Sequence, residues 1–289
     1  MSKKPNIKTR VRQSPEPDIF VVPVSGGKDS QLVLSNAVRE YGPERVIAIH
    51  NYTGIDHPLT MRHLDYMQET YGVRIEHTAN PKYRDMWDLL DKKTMIPGRV
   101  ARFCTDELKI QATNHWLSGR TDLRRLVFLM GMRTGESVKR AESYAGFEPG
   151  DEFSYRDLNP HKVWAAYKHV RARLPIVNLS TAEVFETLRQ RGEKVNPLYT
   201  RGHKRVGCYP CILAGKRDYR LAARDPAGHE VIFTLANFKD MVTHFRGIRD
   251  PSIILEHDLD EILAALDDDP FGFYAADDDD GIGCQWCAM

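Results

Sequence analysis

The sequence has little that marks a membrane or secreted protein. No stretch approaches the ~18 consecutive apolar residues of a membrane span, and the polar, proline-containing amino terminus lacks the apolar centre of a secretory leader. Charge of one sign is also missing. With 41 Lys and Arg against 40 Asp and Glu, the net charge of +1 gives no global electrostatic argument for a nucleic-acid or membrane partner. Cysteine is scarce, at five in 289 residues. The expectation is a cytoplasmic protein with reduced thiols, in which closely spaced cysteines point to metal binding or redox chemistry and not to structural disulfides.

What remains is ordinary for a globular chain: 42% hydrophobic and 28% charged residues, with length for one large α/β domain or for one such domain plus a small appendage. The charge is unevenly placed. "KKPNIKTRVR" near the amino terminus is basic, and "DDDP" at 267–270 and "DDDD" at 277–280 are acidic. The simplest reading of both is a solvated arm and a solvated loop; a sharper reading makes the basic arm a nucleic-acid contact.

Past a polar arm at 1–17, "DIFVVPVS" is a short β-branched apolar run of the kind buried on both faces of a parallel sheet. In "SQLVLSNAVREYG", Leu32, Leu34, Ala37 and Val38 fall near one helical face, and Gly42 with Pro43 ends the helix. "RVIAIHNYTG" predicts a second strand, "LTMRHLDYMQETYG" a helix, "VRIEHTA" a third strand and "RRLVFLMGMR" a further one. This alternation predicts a doubly wound parallel α/β sheet. Around 150–175 the pattern weakens. "STAEVFETLRQRG" then restores a helix, with Ser180 or Thr181 as its cap and Gly192 beyond its end.

Between the first strand and first helix lies Ser25-Gly26-Gly27-Lys28-Asp29-Ser30. Glycines let the backbone approach an anion, the helix start presents unpaired N–H groups, serine hydroxyls donate, and Lys28 neutralises charge. The spacing is neither that of a Walker A loop nor the G-x-G-x-x-G of a dinucleotide fold. It resembles the PP-loop superfamily of adenine nucleotide α-hydrolases, whose S-G-G-x-D-S loop grips the pyrophosphate of ATP. The resemblance implies that these six residues bind pyrophosphate while the α-phosphorus is attacked.

Two later segments narrow the resemblance. "LMGMRTGESVKRA" and "LPIVNLSTAEVFETLRQRGEKVNPLYTRGHKRVGC" are similar to ordered segments of the phosphoadenosine phosphosulfate reductase family. Gly131, Arg133, Glu136, Lys139 and Arg140 would then lie beside the nucleotide, with Glu136 either assisting Mg²⁺ or orienting an arginine. Each of these charges is equally readable as part of a surface salt bridge. Asn51, Tyr52, Thr53 and Gly54 end the second strand, in the crevice where α/β sheets bind ligands, with Asp56 and His57 close by. Family members that reduce sulfonucleotides generally lack the Lys-Asp pair in this loop and carry an E-C-G-[IL]-H tail. This chain keeps Lys28 and Asp29 and has no such tail, which favours an ATP pyrophosphatase over a reductase.

The cysteines form "GCYPC" and "GCQWC", plus Cys104 alone. Cys208, Cys211, Cys284 and Cys287 make two C-x-x-C pairs, a set of four thiolates suited to Zn²⁺ or to a four-iron cluster. The family resemblance favours [4Fe-4S]. Cys104 either joins three of these as a ligand, acts as a nucleophile, or is an inert core thiol. Its place at a predicted helix start beside Arg102 would raise its thiolate fraction, and Lys109 in the same R-x-C-T-x-x-L-K segment is a candidate for contact with phosphate or developing charge.

The expectation is therefore a nucleotide-binding PP-loop domain at 18–200 and a cysteine-rich module at 201–289. The chain would use ATP with Mg²⁺ to adenylate an acceptor, a nucleic acid among the candidates, for sulfur transfer. Cys104, Lys28, Lys109 and Arg133 would be catalytic, with sulfur supplied by a donor such as a cysteine desulfurase and the oligomeric state left open. Two alternatives stand beside this: a thiol-dependent sulfonucleotide reductase, and a non-catalytic nucleotide-binding subunit.

Overall fold

The computed structural model describes residues 18–98, 101–212 and 214–246. Six strands form one sheet: β1 (Ile19–Pro23), β2 (Val46–Asn51), β3 (Ile75–Thr78), β4 (Leu126–Leu129), β5 (Phe153–Ser154) and β6 (Arg171–Arg173), in the order β3-β2-β1-β4-β6-β5. All neighbours run parallel except β5, which is antiparallel to β6. Strand order reverses between β1 and β4. In an open α/β sheet that is the switch point, where loops diverge at the carboxyl ends and leave a crevice.

The helices are α1 (Lys28–Tyr41), α2 (Pro58–Tyr71), α3 (Met86–Lys93), α4 (Phe103–Thr105), α5 (Gln111–Ser118), α6 (Val138–Ser143), α7 (Thr181–Gln190), α8 (Lys216–Ala223) and α9 (Pro226–Arg246). Alternation along the strands sorts the core into two layers. Val21, Ile49, Leu126 and Phe128 face one side with Leu117 of α5. Phe20, Val22, Ala48 and Val127 face the other, under Leu32 and Leu34 of α1, Met67 of α2 and Leu188 of α7. The predicted ends hold closely: Gly42 follows α1 with φ 84°. Ser180 caps α7, in a reciprocal capping box with Glu183.

The weak stretch at 150–175 contains β5 and β6. They escape a hydrophobicity reading because β6 carries two arginines. Arg171 is fully buried, and its charge is met by Asp18 and Glu152, while Arg173 also pairs with Glu152. A buried position filled by a paired cation gives no apolar signal.

A third core lies under the cysteine loop, bringing together Ile55, Leu89 and Leu90 of α3, Leu108, Tyr209, and Tyr219 of α8. The loop is fastened to the main body by an isolated bridge between Asp56 and Cys208 and by the Tyr209 amide on the Ile55 carbonyl at 2.8 Å. Cys284 and Cys287, half of the predicted four-thiolate set, lie outside the described residues, as do the basic arm and the acidic runs. Among the described residues, no helix is long and apolar enough to cross a membrane.

Candidate functional site

The glycine loop sits at the switch point, between β1 and α1. Gly26 has φ 72°, and a Cβ there would stand 2.6 Å from Thr60 Cγ2, so both conformation and space require glycine. Ser30 Oγ accepts from the Ser25 amide at 3.2 Å and donates to the Gly27 carbonyl at 3.0 Å. That hydroxyl thus holds the loop's shape. The helical ladder begins only with the Gln31 amide on the Gly27 carbonyl, and Gly27 caps α1 without a side-chain bond. The amides of Gly26, Gly27, Asp29 and Ser30 consequently meet no protein acceptor among the described residues. Clustered N–H groups at a helix start form a cradle for an anion.

Charged groups converge on this cradle. Lys28 Nζ lies 3.0 Å from Asp29 Oδ2, and Arg133 Nε lies 2.6 Å from Asp29 Oδ1. Both cations are buried. Burial holds Lys28 below the usual lysine range. Asp29 opposes that shift, and the nearby Arg133 and Arg205 add to it. Arg133 is fixed by the Leu179 carbonyl at 3.0 Å and Thr181 Oγ1 at 3.2 Å. Glu136 accepts from the Arg133 amide at 2.9 Å, pairs with buried Arg140, and lies 3.9 Å from Arg205. Here it organises arginines. Gly131 lets β4 approach: a Cβ on it would be 3.2 Å from both Asp29 C and Ser30 N.

Both carboxylates, Asp29 and Glu136, are thus held by cations. The site offers Mg²⁺ no uncommitted carboxylate among the described residues, so an ion entering on a nucleotide would rely on the phosphates for its ligands.

At the end of β2, buried Asn51 accepts from Thr78 Oγ1 at 2.6 Å and Thr113 Oγ1 at 3.1 Å, while its Nδ2 has no partner among the described residues. An orphaned buried donor is costly, and a ligand acceptor would satisfy it. Thr53 is turned inward, with its amide and hydroxyl both on Asp56 Oδ2, at 3.1 and 2.9 Å. Burial opposes charge on Asp56, yet His50 and the Thr53 donors outweigh it and hold the carboxyl low. His57 caps α2 through Nδ1, and its Nε2 meets Asp225 at 3.1 Å. Thr53 and His57 are therefore tied into the fold.

Cys104 stands in α4, beside its cap Arg102, and a π-helical turn (Asp106–Ile110) carrying buried Lys109 follows. Such turns recur at functional sites. Cys104 and Cys211 both act electrostatically on the Tyr219 phenol, which burial pushes up. Cys104 and Cys208 pack against the third core. Among the described residues, however, no group of three or more His, Cys, Asp or Glu is placed to hold a metal ion. The described thiols alone do not present a metal site.

Sequence reasoning assigned no role to three residues of "NPLYTRGHKRVGC". Asn196 Nδ2 donates to the Gly26 carbonyl at 3.1 Å and to Thr60 Oγ1 at 3.2 Å. Tyr199 Oη accepts from the Lys28 amide at 3.0 Å. Arg205 reaches toward Glu136 and Lys28. The segment was visible as a resemblance, and its folding back onto the loop was not.

The phosphoadenosine phosphosulfate reductase domain matches residues 19–214. An uncharacterized 37.8 kDa protein of Escherichia phage 186 is 27% identical over 248 residues, covering 70% of each chain. The adenosine 5'-phosphosulfate reductase of Allochromatium vinosum is 26% identical over 204 residues, covering 69% of this chain and 70% of that protein. A solved structure of the U34-tRNA thiolase from Methanococcus maripaludis, with its [4Fe-4S] cluster, aligns at 19% identity and TM-score 0.43, covering 87% of this chain and 82% of that one. Matched by the domain from β1 to just past the first cysteine pair, the chain belongs to the phosphoadenosine phosphosulfate reductase domain family.

Proposed function

We propose that the chain is an ATP pyrophosphatase that adenylates an acceptor for sulfur transfer. The observation that carries this reading is the cradle itself: four amides at the start of α1 that meet no acceptor among the described residues, with Lys28 and Arg133 fixed on the two oxygens of Asp29. An acceptor oxygen would attack the α-phosphorus of ATP. The bond from that phosphorus to the α,β-bridging oxygen breaks, and pyrophosphate leaves with that oxygen. Lys28, Arg133 and the amides meet the charge that accumulates on the leaving group, so catalysis is mostly positioning and electrostatic stabilisation. A sulfur nucleophile, with Cys104 as its candidate carrier in persulfide form, then attacks the adenylated carbon, and AMP leaves with the acceptor oxygen; an external thiol cleaves the remaining S–S bond and ends as a disulfide with Cys104. Asn51 Nδ2 would hold the nucleoside end, and Lys109 would stand by the acceptor. The acceptor class is proposed to include nucleic acid, with sulfur supplied by a donor such as a cysteine desulfurase. Cys284 and Cys287 are proposed to complete, with the described cysteines, a [4Fe-4S] or zinc site.

The test is pyrophosphate release from ATP by the full chain, with candidate acceptors added in turn. Release abolished by Lys28→Met supports the reading, and no release with any acceptor sinks it. The similarity to adenosine 5'-phosphosulfate reductases favours a second reading, thiol-dependent sulfonucleotide reduction with Cys104 or a tail cysteine as nucleophile. It predicts sulfite release from a sulfonucleotide with no ATP consumed. Tight ATP binding without turnover in either assay would indicate a nucleotide-binding subunit.

A further inference from the structure

The first amide of α1 is already taken. In an anion-binding helix start that N–H normally points at the ligand; here the Lys28 amide donates to Tyr199 Oη at 3.0 Å. The same hydroxyl lies 3.3 Å from the position a Cβ on Gly27 would occupy, so it stands over the glycine loop and not beside the helix. Having accepted one bond, it still has its own proton to donate. No acceptor for that proton exists among the described residues: the Asp29 oxygens nearby are engaged by Lys28 and Arg133.

Tyr199 is held in this place from several sides. Its ring lies edge-on to Phe185, with centroids 5.1 Å apart, and Lys28 Nζ is 5.6 Å from each of the two ring centroids. Its amide donates to the Asn196 carbonyl at 3.1 Å, and Asn196 in turn grips Gly26 and Thr60. Burial, with the Asp29 charge beside it, pushes the phenol above the usual tyrosine range, so it stays protonated and remains a donor.

We propose that Tyr199 is a pyrophosphate-binding residue, its hydroxyl passing the hydrogen bond of the Lys28 amide on to a phosphate oxygen in the cradle. An amide-to-hydroxyl-to-phosphate chain polarises each member, so the helix terminus acts through the phenol at longer reach. The inference rests on the reading of the loop as a pyrophosphate site and adds a donor supplied from the far end of the domain. A purely structural peg, occupying an orphan amide with no ligand role, is the competing account.

Inorganic pyrophosphate titrated calorimetrically into the full chain separates these. Tyr199→Phe keeps the ring and its contacts with Lys28 and Phe185 but removes the hydroxyl. The expected result is pyrophosphate affinity lowered about tenfold, the size of one hydrogen bond to a charged group. A dissociation constant within twofold of the unsubstituted chain, even with a lowered melting temperature, overturns the proposal and leaves the peg. A second measurement needs no variant: hydrogen exchange at the Lys28 amide should slow on adding pyrophosphate, and exchange that is unchanged or faster overturns the proposal. If the unsubstituted chain binds no pyrophosphate, the pyrophosphatase reading falls and this inference with it. If it binds and Tyr199→Phe binds equally well, only the role of Tyr199 is lost.

Discussion

Arg133 Nε donates to Asp29 Oδ1 at 2.6 Å, and this pair joins the first turn of α1 to the loop after β4 across the switch point of the sheet. Asp29 is thereby neutralised on one side by Arg133 and on the other by Lys28, 3.0 Å away. The carboxylate positions two cations that would otherwise repel each other beneath a nest of amides.

Arg133→Ala is expected to destabilise the chain by about 3 kcal/mol, the cost of removing one member of a buried pair. It also leaves the Leu179 carbonyl without its donor. Pyrophosphate release should fall by roughly a hundredfold or more, within the range seen on removing a transition-state donor. Arg133→Lys should recover less than half of the lost stability, because a point charge cannot replace the fork that reaches Asp29, Leu179 and Thr181 together. Denaturant unfolding and a pyrophosphate assay read the two effects separately.

Lys28 should set the alkaline limb of activity. Burial lowers its pKa from 10.5, so its charge is lost at lower pH than an ordinary lysine's, and pyrophosphate release should decline before 10.5. The sign for stability is opposite. Between the lowered folded value and 10.5 the unfolded chain binds the extra proton, so the free protein gains stability as pH rises through that window. Lys28→Arg should move the activity limb upward. An alkaline limb unchanged in that variant would assign it to another group.

Gly131→Ala pushes a methyl group against the backbone of Asp29 and Ser30 at 3.2 Å, and flexible side chains cannot relieve that contact. A loss of about 1–2 kcal/mol is expected from overpacking, with weakened pyrophosphate binding because the loop must shift. Gly207→Ala is the control: a Cβ there meets nothing within 4 Å among the described residues. Equal effects from both substitutions would contradict the close approach of β4 to the cradle.

His63 predicts an acid limb of stability. It is buried behind α1 with Nε2 on Gln31 Oε1 at 3.0 Å, and burial pushes its pKa from 6.5 down to about 4. As pH falls from 6.5 to about 4, the unfolded chain takes a proton that the folded chain refuses. Stability should therefore drop by up to about 3 kcal/mol across that window and level off below it. The dependence should flatten in His63→Asn, measured by denaturant midpoint against pH.

Much of the sheet and the phosphate loop could be read directly from the chain. β1 and β4 are continuous apolar runs, β2 opens with one in Val46–Ile49, and the glycines stand between β1 and α1. The Ser180 capping box is a spacing of three residues, and local geometry alone produces it. What was hidden depended on partners distant in sequence. β6 was masked because its buried Arg171 is paired with Asp18 and Glu152. Tyr199 was hidden in the same way, because the Lys28 amide it accepts from lies 171 residues away.

The sequence by itself determined the family, the strand–helix alternation and the position of the glycine loop between β1 and α1, because those rest on residue type and short spacing. Only the tertiary structure decided which charges face each other. A carboxylate such as Asp29 neutralises whatever cation the fold brings within about 3 Å. No spacing along the chain encodes that Arg133, Arg205 and the Tyr199 hydroxyl converge on one helix start.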